Sequence, residues 1–128
     1  MIYHFEINAD HRRVISFIRA NQMQVGLAVN PGTRLDEFQN LVESIDMVLF
    51  MAVIPGYYGS KFIPSVLDKI KGFRRRNPQK ITGIDGGVKL SNLNDVKESG
   101  VDMICVGSAI MESPEPAKAF EEFRKITD

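Results

Sequence analysis

Five times along the chain, a short apolar run gives way to turn residues and then to apolar residues at helical spacing. The runs are Ile2–Ile7, Val25–Val29, Met47–Val53, Ile81–Ile84 and Met103–Val106. The middle ones are almost continuously apolar, the pattern of strands covered on both faces. Leu35, Phe38, Leu41, Val42 and Ile45 form one helical stripe; Ile63, Val66, Leu67, Ile70 and Phe73 form another. The spacing predicts a last helix with Ser113 as N-cap and Pro114 in its first turn, burying Phe120, Phe123 and Ile126. Thr33 and Ser91 are the expected caps of the second and fourth helices. Alternation of this kind calls for parallel strands joined by helical crossovers. The expectation is one α/β domain over residues 1–128, with about five parallel strands and five helices.

Charge narrows the function classes. Sixteen basic and sixteen acidic residues cancel, so no long-range field steers the chain to nucleic acid. The run Arg74-Arg75-Arg76 reads as the solvated end of a helix. A lone cysteine, Cys105, excludes an internal disulfide and fits a reducing compartment. No apolar stretch approaches the roughly 20 residues of a membrane span. The expected setting is the cytoplasm, with no membrane partner.

The unusual residues gather at the C-terminal ends of the strands: Asn30-Pro31-Gly32, Pro55 to Gly59, Asp85-Gly86-Gly87 and Gly107-Ser108. Ligands bind at that edge in parallel α/β folds. Asp85 ends an apolar strand ahead of two glycines, which suits an acid/base group and equally a turn aspartate. Glycines let backbone N–H groups approach an anion, and they also make tight strand-to-helix turns. Met51 either lines a site or fills the core; His4 either faces a reaction centre or is a hydrogen-bonded core histidine. Cys105 reads as a small apolar core residue.

In these loops the chain resembles the ribulose-phosphate 3-epimerase family. The matching stretches are Tyr3 to Glu6, Val25 to Thr33, Met51-Ala52-Val53 with Pro55, Gly56 and Gly59, Ile84 to Val88, and Val106 to Ile110. The resemblance implies a (β/α)-barrel of the TIM type and epimerisation at C3 of ribulose 5-phosphate, a step of the pentose phosphate and Calvin pathways. It implies Asp85 as catalytic acid/base and metal ligand, with zinc, iron or manganese as the divalent cofactor. It also implies Gly56, Gly59, Gly86, Gly87, Gly107 and Ser108 around the substrate phosphate, and His4 and Met51 lining the site. The chain departs from the family pattern at Ala52, Ile54 and Tyr57-Tyr58.

Only the family's fourth to eighth strands are matched. The first three carry one of two catalytic aspartates and most of the metal-binding residues, so the barrel expected here is incomplete. Five strands do not close an eight-strand barrel. The expected remedies are a homo-oligomer, a partner supplying the missing strands, or a longer gene product. The resemblance therefore implies a sugar-phosphate substrate and impaired turnover by this chain alone. The alternatives are a non-catalytic phosphate-binding or assembly protein, or an epimerase of another ketose phosphate.

Overall fold

A computed structural model describes residues 1–56 and 60–128. It holds one sheet of five parallel strands in chain order: β1 (Ile2–His4), β2 (Gly26–Val29), β3 (Met47–Met51), β4 (Ile81–Asp85) and β5 (Met103–Cys105). All five strands expected from the apolar runs are present; β1, β2, β3 and β5 are shorter than their runs, and β4 extends one residue further, to Asp85. The sheet does not close, so the architecture is an incomplete (β/α)-barrel. Among the described residues no helix is long and apolar enough to cross a membrane.

The helices are α1 (His11–Ala20), α2 (Leu35–Phe38), α3 (Ser65–Arg76), α4 (Leu93–Glu98), α5 (Ser108–Met111) and α6 (Pro116–Thr127). Five were expected; the last unit has two, and α2 tightens into a 3₁₀ stretch, Gln39–Ser44. Three expected caps are corrected. Thr33 is buried, and its hydroxyl donates to Glu6; the Glu37 carboxylate instead accepts the Arg34 N–H at 2.6 Å. Asn92 rather than Ser91 stands at the head of α4, joining the Lys89 N–H and the Gly87 carbonyl. Ser113 accepts the Glu115 N–H at 3.2 Å, so it shapes the turn before α6, which begins at Pro116.

Strand side chains alternate, and the register sorts them into two faces. Leu27, Val48, Phe50 and Ile84 point to the helices, where they meet Phe38, Val66, Ile70 and Phe73 in the main core. Phe73 packs against Phe50 and Phe38 with ring centroids 5.5 and 6.1 Å apart. Burying each such ring contributes about 2–3 kcal/mol. The opposite, inner face carries Ala28, Leu49 and Met51, with Met47 and Cys105 against them. Phe120 was expected in the core but lies exposed on α6, while Phe123 is buried. Helical spacing tells which stripe is apolar; the open end of the sheet leaves Phe120 with nothing to pack on.

Charged groups bolt neighbouring strands together at their N-terminal ends. Asp46 accepts the Val25 N–H at 2.7 Å and pairs with Arg19 at 2.8 Å. Asp102 does the same two pairs along, accepting from the Thr82 N–H and hydroxyl at 2.8 and 2.9 Å and from Arg74 at 2.6 Å. Between them, the Lys80 ammonium donates to the Ile45 carbonyl at 2.8 Å. Arg76 pairs with Asp36 at 3.0 Å. The arginine run is thus partly structural, not merely a solvated helix end.

Burial pushes the Asp102 carboxyl up, but the Thr82 donors and the Arg74 guanidinium more than reverse it and hold it below its ordinary 3.8. A depressed folded-state value stabilises the fold above the ordinary carboxylate range, and that contribution fades as pH falls through the folded value. The Asp102 side chain is 41% exposed, so solvent screens the Arg74 pair, and Asp102→Ala is expected to cost about 1 kcal/mol near neutrality. Urea unfolding should show the gap to the unsubstituted chain shrinking below about pH 4.

Candidate functional site

Three aspartates stand at strand ends, and they are used differently. Asp46 and Asp102 precede β3 and β5 and are occupied by N–H groups and arginines. Asp85 ends β4 at the opposite edge, on the inner face and half-buried. Among the described residues no cation or hydrogen-bond donor engages its carboxylate. Its backbone carbonyl accepts the Ala52 N–H at 2.7 Å, which fixes the strand tip.

The register brings two expected site residues, with Cys105 beside them, to one row: Met51 pairs with Asp85, and Asp85 with Cys105. Met51 is buried against Ala28 and Leu49, so it packs in the inner cluster and also flanks the carboxylate. Burial first, and then the Asp85 charge, push the Cys105 thiol up. It stays a neutral thiol beside an anion. Gly107 and Ser108 follow β5 after Val106 and are exposed. Ser108 opens the short α5, where the first N–H groups lack intrahelical partners. The shallow hollow at Ser108 is walled by Lys89, Leu90, Ser91, Ala109, Glu112 and Phe123; Asp85 is not among its walls.

Gly86 and Gly87 have positive φ, +103° and +68°. A Cβ on Gly86 would lie 2.5 Å from Val53 Cγ2, and one on Gly87 3.1 Å from the Phe62 backbone. Conformation and packing therefore demand both glycines independently of any anion. Gly107 differs: a Cβ there meets nothing within 4 Å. Gly56 also has positive φ, +89°, with open space around it. Gly59 and the Tyr57-Tyr58 departure lie outside the described residues.

His4 is not brought to Asp85. It sits on β1, three strands away, where sheet spacing of about 4.8 Å puts it on the order of 14 Å off. It is half-buried, with Nδ1 3.6 Å from Glu6. Glu6, just beyond β1, is the second carboxylate of this rim, and it is already employed: it accepts the Asn30 N–H at 2.7 Å and the Thr33 hydroxyl. Partial burial pushes its carboxyl up, yet these donors outweigh that and hold it low.

The Lys69 ammonium, from α3, reaches the same loop and donates to the carbonyls of Asn30, Pro31 and Thr33 at 2.9, 2.7 and 2.8 Å. Desolvation pulls the ammonium's pKa down, opposed by Glu6 and Glu37. Glu6 and Lys69 shape the Asn30–Thr33 rim, and sequence reasoning missed the pair. Lys69 sits beside Ile70 in an otherwise ordinary amphipathic helix, so only its contacts reveal it.

Among the described residues no three of His, Cys, Asp and Glu lie close enough to hold a metal ion. The donor set of this chain does not fit a divalent cation by itself. Asp85 is a single ligand, and its neighbour Cys105 is held as the thiol.

Residues 1–111 match the model of the ribulose-phosphate 3 epimerase family. The chain is 36% identical over 126 residues to the ribulose-phosphate 3-epimerase of Escherichia coli K12, covering 95% of this chain and 56% of that protein. It is 32% identical over 130 residues to the cytoplasmic isoform of Oryza sativa, covering 98% and 57%. The chain thus spans about half the length of the curated relatives it matches. Among solved structures it overlays the 3-hexulose-6-phosphate synthase of Salmonella typhimurium with a TM-score of 0.76 at 20% identity, over 98% of this chain and 60% of that one. It overlays the orotidine 5'-monophosphate decarboxylase of Sulfolobus solfataricus at 0.72 and 19%, over 98% and 60%. At such identities the likeness shows the fold alone.

Gly86→Ala is expected to destabilise the chain by about 1–3 kcal/mol, because φ and Val53 both resist a side chain. Gly107→Ala should stay within about 0.5 kcal/mol, as for an open surface position. Thermal unfolding of the two variants checks the contrast.

Proposed function

The chain belongs to the ribulose-phosphate 3-epimerase family, and from that premise we propose that it supplies one acid/base and the phosphate loops of a ketopentose 5-phosphate 3-epimerase. The observation that carries this reading is the unengaged Asp85 carboxylate at a strand tip, on the rim where parallel α/β folds bind ligands. The substrate carries a C3–H α to a carbonyl. Asp85 takes that proton as the enediolate forms and gives one back to the same carbon. The backbone amides of Gly107 and Ser108, with those of Gly86 and Gly87, receive the phosphate; Met51 keeps water from one side of the carboxylate.

Inversion needs a proton to leave one face of C3 and return to the other. Asp85 reaches one face only, and Glu6 is both too distant and already bonded. The second acid and any divalent metal (zinc, iron or manganese) therefore come from outside this chain. One thiol and no disulfide fit work in the cytoplasm.

A second reading, a phosphate-binding protein without turnover, is favoured by that same solitary carboxylate. The two separate in heavy water. The epimerase reading predicts slow deuterium entry at C3 of one of the two epimers, ribulose or xylulose 5-phosphate, with configuration retained. Asp85→Asn should lower that exchange about 100-fold or more. Exchange that ignores the substitution sinks the assignment of Asp85. Stabilisation by sugar phosphates in calorimetry, with no exchange at either epimer, establishes the binding protein instead.

A further inference from the structure

The loop after β2 is held by a positive charge that arrives from another element. Lys69, half-buried on α3, donates to the carbonyls of Asn30, Pro31 and Thr33 at 2.9, 2.7 and 2.8 Å. An ammonium has three N–H donors and no acceptor, so these contacts use all of them. Backbone carbonyls ordinarily find N–H partners. Here three carbonyls of one short loop turn instead toward a single cation. Their negative ends would repel one another at that point if nothing positive stood there.

The surroundings favour such a charge. Glu6 ties the same segment by accepting the Asn30 N–H at 2.7 Å and the Thr33 hydroxyl. Glu6 and Glu37 both lie near enough to favour the charged ammonium, against the desolvation that opposes it. The direct partners of Nζ are nevertheless neutral oxygens, at 2.7 to 2.9 Å. Carbonyl oxygens gathered in this way replace the water shell of potassium in ion-selective filters. The spacing is too long for calcium, at about 2.3–2.6 Å, or magnesium, at about 2.0–2.1 Å. Asn30 offers one acceptor more: its Oδ1 is buried with no hydrogen-bond partner among the described residues. The lysine has no N–H left for it, whereas a spherical ion has no fixed number of donors.

We propose that the loop over residues 30–33 is a monovalent-cation site of potassium or ammonium type, filled by the tethered ammonium of Lys69. The charge and its size hold the loop; the four-carbon stem is only the tether. Neither Asp85 nor the epimerase reading enters into it.

The test is Lys69→Ala, which removes tether and charge together and leaves room beside the carbonyls. Unfolding temperatures are compared in chloride salts of potassium, ammonium, sodium, lithium and choline at one ionic strength of about 0.1 M. In choline the variant should melt several degrees below the unsubstituted chain. Potassium and ammonium should recover about half of that loss or more, since they bind the folded state alone. Sodium and lithium should recover much less. Lys69→Met keeps the stem without the charge and fills the gap, so no salt should rescue it. The unsubstituted chain should respond alike to all the salts. Nitrogen NMR of the unsubstituted chain adds a reading that needs no substitution. The Lys69 ammonium protons should exchange slowly with water at neutral pH, where those of exposed lysines exchange too fast to be seen. The proposal is overturned if Lys69→Ala recovers equally in every salt, or folds in none. Rescue of Lys69→Met by potassium, or fast exchange at Lys69, overturns it as well.

Discussion

In a parallel sheet every strand points the same way, so one rim collects all the N-terminal ends and the other all the C-terminal ends. Everything else in this chain follows from that sorting. On the first rim, charge is spent on cohesion: Asp46, Lys80 and Asp102 each reach across to the neighbouring strand or its approach, and arginines from α1 and α3 complete two of the three bridges. On the second rim, Asp85 is left unspent. A carboxylate tied by a backbone N–H and a guanidinium has little capacity to move protons, whereas the one flanked by Met51 and a neutral thiol is not so tied.

Much of this was legible in the residues. The continuous apolar runs gave five strands because both faces of the sheet prefer apolar side chains, and Asp85-Gly86-Gly87 stood out because a charge and two glycines ended such a run. The errors have physical causes. Thr33 has the chemistry of a helix cap, but the Glu6 carboxylate from another strand claimed its hydroxyl. Phe120 follows the helical period, but burial depends on a neighbouring element that the period does not describe. The Glu6–Lys69 pair was invisible because all but one of its partners, the Thr33 hydroxyl, are backbone atoms of a distant loop, and backbone atoms leave no signature in a sequence.

The glycines separate what a motif means from what it resembles. Gly86 and Gly87 look like a phosphate cradle, yet positive φ and the crowding of Val53 and Phe62 account for both. Gly107 has the open surroundings that an approaching anion requires. Of the two glycine loops, the second therefore carries the weight of the phosphate assignment.

The bridges at the N-terminal rim span only adjacent strands. Cohesion of that kind is a chain of nearest-neighbour couplings, so strength falls from the centre outward. Backbone amides of β3 and β4 would resist exchange with solvent longest, and those of β1 and β5 would open first. The open sheet is thus poised to fray at its two margins while its middle stays ordered.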